Sequence, residues 1–174
     1  ITIVDYFNYY KSKRIKKNFK NFDFIFARNV LAHVPNPNDI FKGVRNLLNN
    51  NGKFIVEVPH QYNIIRYNQY DNIFHEHIGY HSLKSIIDLA TKNNLKVFDV
   101  EKIESQGGSI RCFICHKNTS EKISNKIKIV ISSEKKLGLY SEIKLKKFKI
   151  SILSHISKLK KLLSNLKKKQ KKIS

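Results

Sequence analysis

Apolar residues recur along this chain with two different periods, and the switches between them outline its elements. Ile1, Ile3 and Val4 suggest a short strand over 1–7. Residues 8–21 are basic, with apolar Tyr10, Ile15 and Phe19, the pattern of a surface helix. Phe22-Asp23-Phe24-Ile25-Phe26-Ala27-Arg28 is a nearly continuous apolar run, which predicts a fully buried parallel strand. Pro35 and Pro37 then end regular structure. Asn38 or Asp39 is placed to cap a helix whose apolar face is Ile40, Phe41, Val44, Leu47 and Leu48. Asn49-Asn50-Asn51-Gly52 is expected to stop that helix, and Lys53–Pro59 forms the next strand. Ser82 caps a further helix bearing Leu83, Ile86, Ile87, Leu89 and Ala90, which Asn93-Asn94 ends. Leu95–Ile103 and Ile110–His116 read as strands, and the turn residues 106–109 between them make the pair antiparallel. Beyond residue 117, Leu145, Phe148, Ile152, Ile156, Leu159, Leu163 and Leu166 recur at helical spacing with lysines between them.

A strand, helix, strand order with short joints predicts an α/β fold with a parallel sheet and right-handed crossovers. Ligands in such sheets bind beyond the carboxyl ends of the strands. Residues 29–33 and 57–60 fall at that edge. The 174 residues suffice for one full core with an appendage. We divide the chain into an α/β domain over 1–117 and a basic helical segment over 118–174.

Charge changes this picture little. The net charge is +21, and residues 120–174 hold 17 Lys against Glu121, Glu134 and Glu142. Such a run is ordinarily a solvated helix face. It contains no Arg and few aromatics, so it does not read as a nucleic-acid surface, although a basic module binding phosphates is the alternative to an enzyme. No apolar run approaches the length of a membrane span. Cys112 and Cys115 stand alone in a strand pattern, which suits reduced structural thiols and a cytoplasmic protein.

The chemistry concentrates in Tyr70-Asp71-Asn72-Ile73-Phe74-His75-Glu76-His77-Ile78-Gly79-Tyr80-His81. Imidazoles, a carboxylate and phenols in one stretch are groups able to move protons near neutral pH. With His33 and His60 at the strand ends, His75, Glu76 and His77 are expected to converge on one crevice. A His-x-His pair on a strand would also suit zinc or iron, the basis of a rival reading as a metal-dependent hydrolase or oxygenase.

Four motifs in order resemble the class I S-adenosylmethionine-dependent methyltransferases, and among them the sugar C-methyltransferases of nucleotide-linked keto-deoxysugars. They are Asn29-Val30-Leu31-Ala32-His33-Val34-Pro35, Glu57-Val58-Pro59, His75-Glu76-His77 with Tyr80, and Gly107-Gly108-Ser109-Ile110-Arg111. The resemblance implies the second half of a Rossmann-like sheet, with parallel strands plus an antiparallel terminal strand. It also implies methylation of a carbon beside a ketone: a base removes the α proton, and the enolate attacks the methyl of S-adenosylmethionine. By the same resemblance His77 is the base, Glu76 orients an imidazole, and His33 contacts the sugar or shares the proton. His75, Tyr80, Ser109 and Arg111 fall to the substrate, and Asn29, Val30 and Ala32 to the cofactor.

This sequence departs from the family at Phe74, where the family has Tyr. The glycine-rich cofactor loop and the family's cysteine-rich zinc domain would precede residue 1, and a further α/β region would follow residue 174. The resemblance therefore implies an interior piece of a longer protein, with only half of a cofactor site.

Overall fold

A computed structural model describes residues 1–170 and Lys172. Among these residues six α-helices and four strands follow one another as α1 (Tyr9–Phe19), β1 (Phe22–Arg28), α2 (Pro37–Leu47), β2 (Leu48–Pro59), α3 (Gln61–Arg66), α4 (Leu83–Lys92), β3 (Leu95–Ile103), β4 (Ser109–His116), α5 (Asn125–Leu137) and α6 (Glu142–Lys168). Single helical turns at 31–33, 70–72 and 105–107 punctuate the loops.

The strands form one sheet in the order β1-β2-β4-β3. β1 and β2 are parallel, and β4 runs antiparallel to both β2 and β3. The antiparallel strand is therefore last in sequence but lies inside the sheet, between β2 and β3. The turn before it makes this possible. Gly107 and Gly108 take positive φ values of 74° and 109°, which L side chains rarely adopt. A Cβ on Gly108 would meet the Asn63 Nδ2 atom at 2.0 Å. Gly108→Ala is expected to lower the urea midpoint more than Ala substitution at exposed Ser120.

Alternation decides which face of the sheet is dry. Ala27, Phe54, Val56, Val58, Val97, Val100, Ile110, Cys112 and Ile114 face one way and join the core. Ile40, Phe41 and Val44 of α2, Leu83, Ile86 and Ala90 of α4, and Ile127 and Val130 of α5 close over them. The opposite side chains of β1, Phe24 and Phe26, are 62% and 71% exposed. The expectation of a fully buried β1 is thus corrected. It is parallel, but it is an end strand whose second face no helix covers among the described residues.

Other expectations need correction. Residues 1–7 form no strand, because they pair with no neighbour that would satisfy their backbone groups. α2 starts at Asn36 with Pro37 in its first turn, rather than at Asn38 or Asp39. Asp39 instead accepts the Tyr9 amide at 3.2 Å, at the start of α1. Leu48 turns extended directly after α2, so Asn49–Gly52 belong to β2, with an irregularity opposite Phe22–Phe24. α3 was not anticipated from the sequence.

The remaining elements agree with the pattern. Ser82 caps α4 through a reciprocal bond pair with Ser85, and Asn93 closes it. α6 forms the long amphipathic helix, yet none of its residues is fully buried. Its contacts with the rest of the chain include Ser151 to Asn68 at 3.3 Å and the His155 ring 5.5 Å from that of Tyr70. No helix among the described residues is long and apolar enough to cross a membrane.

Candidate active site

The carboxyl end of β1 supplies the first half of the site. The Asn29 amide donates to the Glu57 carbonyl at 2.9 Å, which ties the β1 exit to β2. Asn29 then turns left-handed, with φ of 52°. This reversal starts the 31–33 turn that carries His33. Val30 is exposed, whereas Ala32 is buried. The Ala32 carbonyl accepts the Ile78 amide at 2.9 Å and the Gly79 amide at 3.1 Å. One backbone oxygen therefore staples the β1 loop to the histidine stretch.

That stretch is a loop, and its turns set the two rings that meet. The His77 Nδ1–H donates to the Asn72 carbonyl at 2.9 Å. The His33 Nδ1–H donates to the Glu76 carbonyl at 3.0 Å. A carbonyl only accepts, so both rings carry a hydrogen on Nδ1, and the neutral tautomer this selects has its acceptor at Nε2. The ring centroids are 4.9 Å apart, edge to face. Phe74 stacks on His77 at 4.0 Å, and the Tyr80 ring lies 6.4 Å from His77. Burial raises the Tyr80 phenol above its usual value, so its hydroxyl stays a donor at neutral pH.

The other candidates are placed elsewhere. His60 does not join the crevice; its ring is buried against Glu134 at 2.7 Å. The His75 side chain is 88% exposed, 3.8 Å from the Glu76 carboxylate. Glu76 thus orients His33 through its backbone oxygen, while its carboxylate points to His75. Ser109 is 1% exposed and donates to the Ser105 carbonyl at 2.9 Å, so its hydroxyl holds the turn. Arg111 lies in a row of alternating charge across all four strands: Arg28, Glu57, Arg111 and Glu101 are lateral neighbours. Glu57 meets Arg28 at 3.0 Å and Arg111 at 3.1 Å, and Glu101 meets Arg111 at 3.5 Å. His75 and His77 sit in a turn, not on a strand, and no group of three or more potential metal ligands gathers among the described residues. Cys112 and Cys115 are free and buried, and burial pushes the Cys112 thiol well above its usual range.

Sequence reasoning missed Glu134, which it counted only as one acid in a basic tail. Its signal was its place on the α5 face that also carries Ile127 and Val130. Burial works to raise its carboxyl, but bonds from His60, Tyr140 and Leu83 outweigh that and hold it below the usual value of 4.5. Burial likewise holds the His81 ring below its usual 6.5, against the opposing effect of its bond to the Leu31 carbonyl. Both groups bind protons more weakly folded than unfolded, so both destabilise the fold on acidification. The His81 contribution is complete above 6.5 and fades below it, and the Glu134 contribution fades below 4.5. Urea midpoints measured against pH should therefore fall in two stages. His81→Gln, which keeps a donor for Leu31, should remove the upper one.

Residues 1–100 match the family model described as a methyltransferase domain, and residues 104–174 match that of the C-methyltransferase C-terminal domain. The chain belongs to the methyltransferase domain family. C-methyltransferase NovU of Streptomyces niveus is 33% identical over 115 residues, which are 66% of this chain and 27% of that protein. The chain thus spans about a quarter of the length of this curated relative. Among solved structures, a SAM-dependent methyltransferase from Anabaena variabilis is 13% identical with a TM-score of 0.48, covering 63% of this chain and 55% of its own. Magnesium protoporphyrin IX methyltransferase from Synechocystis, with bound SAH, is 12% identical with a TM-score of 0.44, covering 55% and 45%.

S-adenosylmethionine carries amine and hydroxyl donors, and the site offers an acceptor for one. The Asn29 Oδ1 atom is buried without a hydrogen-bond partner at the carboxyl end of β1. Asn29, with exposed Val30 beside it, fits the cofactor there; buried Ala32 serves as the joint between loops.

Proposed function

We propose that this chain is the base-bearing part of a C-methyltransferase that methylates a carbon beside a ketone, on a nucleotide-linked deoxysugar. The observation that carries the reading is the pair of imidazoles, His33 and His77, each with Nδ1–H tied to a backbone carbonyl, which puts the acceptor of the neutral ring at Nε2. A bare Nε2 with a fixed tautomer is what a general base requires. His77 takes the proton α to the ketone on Nε2, and the electron pair left behind moves onto the ketone oxygen as an enolate. The Tyr80 hydroxyl, protonated at neutral pH, donates to that oxygen in place of the hydroxyl that Phe74 lacks. His33 packs against the His77 ring and limits its rotation. Asn29 and Val30 would hold S-adenosylmethionine, which would supply an electrophilic methyl group on sulfur. The support for a carbon acceptor is the match to the C-methyltransferase C-terminal domain and to NovU.

The test uses the complete protein in deuterium oxide with a nucleotide-linked keto-deoxysugar and no methyl donor. Deuterium is expected at the carbon beside the ketone, read by NMR. Absence of exchange, with the sugar bound, removes the enolate reading.

A further inference from the structure

The histidine loop has a neck. Its 22-odd residues, 61–82, leave from His60 at the end of β2 and return to the start of α4. His60 and His81 form an isolated parallel bridge, and the Gln61 amide donates to the His81 carbonyl at 3.0 Å. The Glu134 carboxylate arrives at this neck from α5. One of its oxygens accepts His60 Nε2–H at 2.7 Å and the Leu83 amide at 2.6 Å. The other accepts the Lys84 amide at 3.3 Å and the Tyr140 hydroxyl. Leu83 and Lys84 are the first residues of α4, whose amides have no partner within the helix and whose dipole favours an anion.

We infer that Glu134 is a positioning residue, whose carboxylate clasps both stems of the loop that carries His77. A carboxylate is costly to bury, and an apolar residue would pack α5 as well. What only a carboxylate does here is hold donors from His60 before the loop and from Leu83 and Lys84 after it. The clasp reaches the site through the bridge and the His81 ring. The bridge holds His81, the His81 Nε2–H donates to the Leu31 carbonyl at 3.2 Å, and Leu31 starts the turn that bears His33. Glu134 lies within residues 104–174, so the C-methyltransferase C-terminal domain sets the geometry of the base in the preceding domain. The catalytic consequence rests on the reading of His77 as base; the loop geometry does not.

The experiment is NMR on the labelled chain, reading the ring-proton cross-peak between His33 and His77 and the nitrogen shifts of His60. The unmodified chain should show the cross-peak and hydrogen on His60 Nε2. Glu134→Leu, which removes both oxygens, should lose the cross-peak and shift the His60 nitrogens. Val130→Ala, which loosens α5 without touching the carboxylate, should keep both. His60→Phe, which removes the donor but leaves the α4 bonds in place, should weaken the cross-peak and serves if Glu134→Leu does not fold. An intact cross-peak in a folded Glu134→Leu or His60→Phe chain overturns the clasp, as does its loss in Val130→Ala. Because the cross-peak is read without substrate, failure of the exchange assay and failure of the clasp are distinguishable.

Discussion

His77→Ala in the complete protein is expected to slow deuterium exchange beside the ketone by a factor of about 10²–10⁴, the usual worth of a positioned general base. His75→Ala is the control, because it lies two residues away with a side chain that is 88% exposed. Its exchange rate should stay close to that of the unmodified protein. His33→Ala should fall between them, since it removes a neighbour of the His77 ring rather than the ring itself. Equal losses at His75 and His77 would show that the loop, not the Nε2 atom of His77, matters to the rate. Unchanged exchange in His77→Ala would remove it as the base.

Phe54→Ala is expected to destabilise the chain by about 3–5 kcal/mol, the range for emptying a large aromatic from a core. Phe54 is fully buried in the middle of β2 and meets Phe41 of α2 edge to face at 5.4 Å. A domain of ordinary stability has about 5–15 kcal/mol in all, so this one change removes a large share of it. Phe26→Ala provides the contrast. It deletes the same ring from the open face of β1, and its effect should stay within about 0.5 kcal/mol. Urea unfolding of both variants separates the two faces of the sheet. A large loss at Phe26 would show that its ring is packed in solution.

Much of this architecture was legible before any coordinate. β1 and β3 appear with the expected bounds, because local alternation and flanking turn residues set strand limits without distant help. The α4 cap was readable for the same reason, since Ser82 and Ser85 act within one turn. The motif of residues 29–35 and the histidine stretch pointed to the site edge, and His33 and His77 do meet there.

Other features needed the third dimension. Phe24 and Phe26 read as buried because an apolar run records what a strand could bury, not how many layers cover it. Seven histidines look alike in a sequence. Folding sends His60 to a buried carboxylate, His75 to solvent, and His33 and His77 to each other. Ring tautomers depend on which carbonyl each Nδ1 meets, and Asn72 and Glu76 become those partners only once the loop has closed. Glu134 is the clearest case, standing 74 positions from His60 and about 50 from Leu83 and Lys84. Periodicity determined the elements, because backbone propensity and amphipathic spacing act over a few residues. The site was decided by tertiary contact, because hydrogen bonds and burial act through space, between residues whose separation along the chain carries no trace of their meeting.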